Sequence, residues 1–213
     1  MSQIEVSGYI IGGLELSLFF WGARYVRNRW TSLLKISDIT FYWMMLTVLT
    51  GLWEFTFLTN YDNVSHMANE LIESQRHVWT TKYDLSYVLP WKLSKIFYAE
   101  YGAYADREYM YLGDHWSRLI EGTHAFFCAG LSLLALRMKA RKQHENYIVL
   151  KNIAMASQLM NSILYMGEYF IQINNRYSVN YINNEFPFGL FMLQRPFMYV
   201  NAFWMVMPVA VMV

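Results

Sequence analysis

Long apolar runs constrain this chain more than any other feature. The hydrocarbon core of a bilayer takes roughly 20 mostly apolar residues per helix. Five stretches reach that length, at residues 6–25, 39–58, 116–138, 148–173 and 188–213. Only 15% of residues are charged, against about 25% in soluble domains, so there is little polar surface to keep five such helices in water. The sequence therefore predicts an all-α integral membrane protein. It is one domain over 1–213, a five-helix bundle with a long helical extramembrane connection between helices 2 and 3.

Charge placement gives the orientation. The region after the first run carries Arg24, Arg27, Arg29 and Lys35 without an acid. The region after the third carries Arg137, Lys139, Arg141 and Lys142. Five spans put both on one side, which the positive-inside rule makes cytosolic, or matrix in a mitochondrion. No basic segment precedes the first apolar run, so that run reads as a retained helix rather than a cleaved signal. The formal net charge is +1, which gives a nucleic-acid partner no electrostatic support. The single cysteine, Cys128, cannot form an internal disulfide.

The stretch 60–115 is the one long connection, with eight acids against five bases. A structureless loop of that length is uncommon in a compact domain, so helices are expected within it. One fits 63–79. Another begins with Pro90 in its first turn and runs through Trp91, Ile96, Phe97 and Tyr101. Trp91, Lys92, Lys95 and the tyrosines suit a membrane interface.

Four acids fall inside the predicted spans: Glu15, Glu54, Glu121 and Glu168. A carboxylate in hydrocarbon needs a partner, a neutral state or a wet cavity. Glu15 and Glu168 are equally well read as sitting near span ends and reaching water. Glu54, near the end of helix 2, and Glu121, near the start of helix 3, come to similar depth on an antiparallel pair. His124 follows Glu121 by three residues and shares its helical face. A packing role for a lone intramembrane His stays open, but with two carboxylates near it the set can move protons near neutral pH. On helix 5, Asn201 and Trp204 share a face in mid-span, away from the usual aromatic belt. The indole face can stabilise a cation, so acids, imidazole and indole together fit a site for an amine or a carbocation. No His/Cys ligand spacing, phosphate loop or nucleophile elbow is present, so neither a metal nor an organic cofactor is expected.

Two blocks carry a family resemblance. The first is Glu100-Tyr101, Asp106, Tyr109, Leu112-Gly113-Asp114 and then Glu121, seven residues beyond Asp114. The second is Asn201-Ala202-Phe203-Trp204 with Pro208, and Gln158 with Tyr165 adds a weaker match. From about residue 40 onward the chain resembles the emopamil-binding proteins, the sterol Δ8-Δ7 isomerases of the EXPERA superfamily. The resemblance implies five helices around a sterol cavity in the membrane. There, acidic and imidazole groups protonate one side of a ring double bond and deprotonate the other. Carried over residue by residue, it implies Glu54, Glu121 and Asp106 as catalytic candidates and Trp204, Asn201 and Tyr165 as substrate contacts; His124 joins the first set and Thr50 the second from their own places in the predicted pocket. It also implies the endoplasmic reticulum as the location.

Two departures stand out. The family has His four residues before the helix-2 Glu, where this chain has Thr50. It has Thr three residues after the helix-3 Glu, where this chain has His124. This reads as a reciprocal exchange across one pocket, His124 restoring the lost imidazole from the opposite wall. The alternative is a catalytically silent EXPERA-fold subunit of a larger complex, for instance in the mitochondrial inner membrane. It would hold a structural lipid and dock partners through the enlarged 60–98 segment.

Overall fold

The computed structural model describes residues 4–106, 115–172 and 196–213, and it is mostly helical. A short strand β1 (Glu5–Ser7) leads into α1 (Gly8–Arg29), followed by α2 (Asp38–Thr59) and α3 (Tyr61–Ser74). Strand β2 (Lys82–Asp84) and α4 (Pro90–Glu100) complete the connection. A continuous helical rod, His115–Ala140, comprises α5 (His115–Thr123), a wider π-helical segment (His124–Ala129) and α6 (Gly130–Ala140). Among the described residues, α7 (His144–Gln172) and α8 (Pro196–Met212) come last. The matching parts of the resemblance at Tyr109 and Leu112-Gly113-Asp114, and the predicted start of the fifth run at 188–195, lie outside the described residues.

Among the described residues, two helices are long and apolar enough to cross a membrane, Asp38–Thr59 and His115–Ala140. The apolar stretch Tyr199–Met212 is shorter. The other long helices, α1 and α7, are interrupted by polar side chains, Glu15 in the first and Asn152, Gln158, Asn161 and Glu168 in the second. The five-span bundle is thus met in part: the helices are there, and two have the composition of a span.

Three features depart from the sequence reading. First, α1 continues to Arg29, so Arg24, Arg27 and Arg29 lie on the helix rather than in a link. Arginine is a good helix former, and cations in a last turn complement the helix dipole. Arg27 uses that position to tie α1 to α2, donating to Asp38 Oδ1 and to the Ile36 carbonyl, both at 2.6 Å.

Second, the chain is not purely helical. β1 and β2 form an antiparallel ribbon with Val6 opposite Tyr83. The amides of Gly8 and Tyr9 donate to Thr81 O and Trp79 O, each at 3.1 Å, so two orphan donors at the start of α1 are met by backbone carbonyls. This approach needs glycine: a Cβ on Gly8 would stand 2.2 Å from Val78 O.

Third, the 60–98 segment does not stand apart. α3 (Tyr61–Ser74) ends five residues short of the expected helix, and α4 begins with Pro90 as predicted. Both pack onto α2 through Phe57, Tyr61, Val64, Ile96 and Tyr98. Glu100, buried at the end of α4, holds the segment after α3 in place, pairing with His77 Nδ1 at 2.6 Å and accepting from Val78 N at 3.0 Å.

Two apolar clusters result. One gathers α2, α3 and α4 around Phe57, Val64 and Ile96. The other gathers α2, α6 and α7 around Phe41, Met44 and Met155. Between them, α2 meets the π segment at its closest approach, where a Cβ on Gly51 would lie 2.2 Å from the Ala129 Cβ.

Candidate functional site

A cavity of about 420 Å³ lies between the two clusters. It falls in the size range of small-molecule sites. Glu54 and Thr50 face it from α2, Glu121 and His124 from the rod, Tyr165 from α7, and Asn201 and Trp204 from α8. Seven of the eight residues singled out from sequence are thus on one wall set. The eighth, Asp106, is buried directly behind it: Tyr165, which lines the cavity, donates to Asp106 Oδ2 at 2.5 Å.

The polar groups form two chains. In the first, His124 Nδ1 meets Glu54 Oε2 at 2.5 Å, and both residues are 7% exposed. Glu54 is hydrogen-bonded to Glu121. Tyr98 OH donates to Glu121 Oε2 at 3.3 Å. On its other side, His124 Nε2 lies 3.0 Å from Gln158 Nε2, and Gln158 Oε1 accepts from the Trp43 indole at 2.9 Å. In the second chain, Asn201 bonds Tyr101, whose hydroxyl is 3.1 Å from that of Tyr165, which ends on Asp106. Among the described residues, no Lys or Arg lines the cavity.

Local sequence explains the convergence. On α2, Trp43, Thr47, Thr50 and Glu54 recur at spacings of four, three and four, a single helical stripe. On α7, Gln158, Asn161, Ser162 and Tyr165 make a second stripe, all buried. The close contact at Gly51, one turn before Glu54, carries the carboxylate to the imidazole. The π segment starts at His124, and such local widenings recur at functional sites. Just before it, the Ile120 carbonyl accepts from Asn161 Nδ2 at 3.0 Å.

Thr50 donates to the Leu46 and Thr47 carbonyls of its own helix, at 3.2 Å each, and offers the cavity no acid or base. The Trp204 ring stands edge-on to His124, with centroids 5.6 Å apart, and 4.5 Å from the Trp43 ring. Of the other two acids in the spans expected from sequence, Glu15 does not reach water. It is buried and accepts from Trp53 Nε1 at 2.9 Å, behind the cavity wall. Glu168 is half-buried and does not line the cavity.

The sequence reading missed Trp43, Thr47 and Tyr98. The α2 stripe was a usable signal for the first two. Tyr98 had none, because its role depends on α4 folding back onto α2. Among the described residues, no cluster of three metal-ligating side chains occurs. The arrangement can exchange protons with a bound molecule from a carboxyl pair, and can face a positive charge with an indole.

No family model, no curated protein and no solved structure matches this chain.

Proposed function

We propose that this protein is a five-span membrane isomerase of EXPERA type that shifts a ring double bond in a sterol-like lipid. The observation that carries the reading is the carboxyl pair Glu54–Glu121 with His124 and Trp204 on one largely apolar cavity. A proton passes from the acidic cluster to one alkene carbon. The carbocation formed faces Trp204. A neighbouring C–H then gives its proton back to the cluster as the new double bond forms, so the reaction consumes nothing and needs no redox partner. One carboxyl must be neutral and the other ionised for this exchange.

Membrane embedding is supported by where apolar residues are exposed. The outer face of α1 shows Tyr9, Ile10, Leu14, Leu18, Trp21 and Tyr25 to the surroundings. The rod shows Leu119, Phe126, Phe127 and Leu133, and α8 shows Val200, Val206 and Val209. Bare apolar surface on this scale is costly in water. The reciprocal Thr50/His124 exchange is supported by His124 reaching Glu54 from the opposite helix.

A second reading rests on a different observation. The outward face of α3 carries Asp62, Glu70 and Glu73, all exposed. That surface suits docking by a silent subunit of a larger membrane assembly. The test is direct. The protein is solubilised gently, sized, and given a Δ8 sterol. Conversion by the free protein, and complementation of an isomerase-deficient yeast, support the enzyme. Co-migration in a large complex with no conversion supports the subunit. Reconstitution without conversion, sterol binding or complex formation overturns both.

A further inference from the structure

The proton inventory around His124 can be worked out from donors and acceptors alone. Trp43 Nε1 is a donor and never an acceptor. Its bond to Gln158 at 2.9 Å therefore fixes the amide with Oε1 toward the indole. The Gln158 NH₂ group must then face the other way, toward Thr47 Oγ1 at 3.3 Å and His124 Nε2 at 3.0 Å. Thr47 agrees with this, because its own hydroxyl proton is spent on the Trp43 carbonyl at 3.0 Å, leaving a lone pair to accept. An NH₂ group aimed at His124 Nε2 requires that nitrogen to be an acceptor. The ring proton is then on Nδ1, where it meets Glu54 Oε2. Gln158 is fully buried, so water offers the amide no alternative orientation.

We propose that Trp43 and Gln158 hold His124 as the neutral imidazole with its proton on Nδ1, which makes His124 a positioning residue for Glu54 rather than the proton donor to the ligand. The proton delivered to the ligand is the one held between Glu54 and Glu121. Two hydrogen-bonded carboxyls need one such proton, and Tyr98 OH supplies the outer donor to Glu121. Protonating His124 on both nitrogens would set an N–H against the Gln158 NH₂ or break the Trp43 bond. Among the described residues, Glu121 on its own helix and the Trp204 indole on α8 also face the ring, but the hydrogen-bond partner of Nε2 is Gln158. The role in catalysis rests on the isomerase reading, but the tautomer does not.

The test uses the full-length protein in nanodiscs, labelled with ¹⁵N-imidazole histidine. There are five histidines, and the His124 signals are assigned by their loss in His124→Asn. The expected spectrum at neutral pH is a neutral ring with a protonated Nδ1 and a bare Nε2. In Trp43→Phe the amide is released, and signal moves toward a protonated Nε2. A wild-type ring protonated on Nε2, or on both nitrogens, overturns the proposal whether or not the variant folds. An unchanged pattern in folded Trp43→Phe overturns the role of Trp43. Turnover supplies the second arm. His124→Ala misplaces Glu54 and lowers conversion by up to about 100-fold, the cost of a misplacement near 1 Å. His124→Asn recovers most of that loss, because its amide N–H can take the place of Nδ1–H. Equal loss in both variants makes His124 the acid and overturns the positioning role. The predicted tautomer without sterol conversion in the wild type leaves the proton inventory standing and removes the isomerase.

Discussion

Replacing Gly51 with alanine tests how the two walls of the cavity are brought together. A Cβ at Gly51 would lie 2.2 Å from the Ala129 Cβ, short of ordinary contact at 3.4 Å by about 1.2 Å. Both atoms belong to packed helices, so the helices must part. Overpacking of this kind costs about 1–3 kcal/mol. Parting also draws Glu54 from His124. Their 2.5 Å contact lengthens toward about 3.7 Å, beyond a hydrogen bond, at a further cost of about 1.5–3 kcal/mol for a buried hydrogen bond to a carboxylate. Alanine returns about 1 kcal/mol through its better helix propensity. The expected net loss is about 1.5–5 kcal/mol. The chain has one cysteine, and Cys128 is fully buried next to Ala129. Thermal unfolding followed with a thiol-reactive dye therefore reports on this contact, and Gly51→Ala should melt several degrees lower. Adding Ala129→Gly removes the opposing Cβ. The next neighbour is then Ala125 Cα at 3.5 Å, which is tolerable, so the double variant should regain most of the loss. A Gly51→Ala protein that melts with the wild type, or a double variant no better than the single, refutes the reasoning.

Three further outcomes follow from particular contacts. Tyr165→Phe removes the hydroxyl that donates to Asp106 and pairs with Tyr101, and should destabilise the fold by about 1–3 kcal/mol, measured by the same dye assay. Glu100→Gln leaves one acceptor where His77 and Val78 N each need one, so hydrogen exchange and proteolysis should rise in 75–82 before the helical core responds. Asp84 outside the bundle accepts from the Ser86 hydroxyl and amide, which hold its carboxyl below the ordinary value of 3.8. Its contribution is complete above that value and is lost as pH falls through the lowered one, so Asp84→Asn should flatten the acid limb of the stability profile.

Much of the fold is written locally. Apolar runs of span length marked α1, α2, the rod, α7 and α8, and Pro90 marked the first turn of α4. The acids at 54 and 121, with His124, stood out because charge inside an apolar run is expensive and must be answered by a partner. What could not be read depends on contacts distant in sequence. The ribbon consists of two three-residue strands whose pairing joins residues 5–7 to 82–84, and neither strand carries a pattern of its own. The π segment has no distinct composition. Tyr98 and Tyr101 became cavity residues only when α4 packed onto α2. Glu15 looked like a span-end acid because nothing near it in sequence announces Trp53. The α2 stripe of Trp43, Thr47, Thr50 and Glu54 was readable and would have found the groups behind His124.

The placement of α4 joins the outer layer mechanically to the chamber. Phe97 and Tyr98 close one side of it, while Glu100 on the same helix grips His77 and Val78 of the overlying segment. A tug on that overlay is transmitted by a rigid lever three residues long. An antibody fragment gripping the outside of α3 would accordingly tighten or weaken occupancy within while touching no residue of the chamber, and occupancy would alter the antibody's own affinity by the same factor.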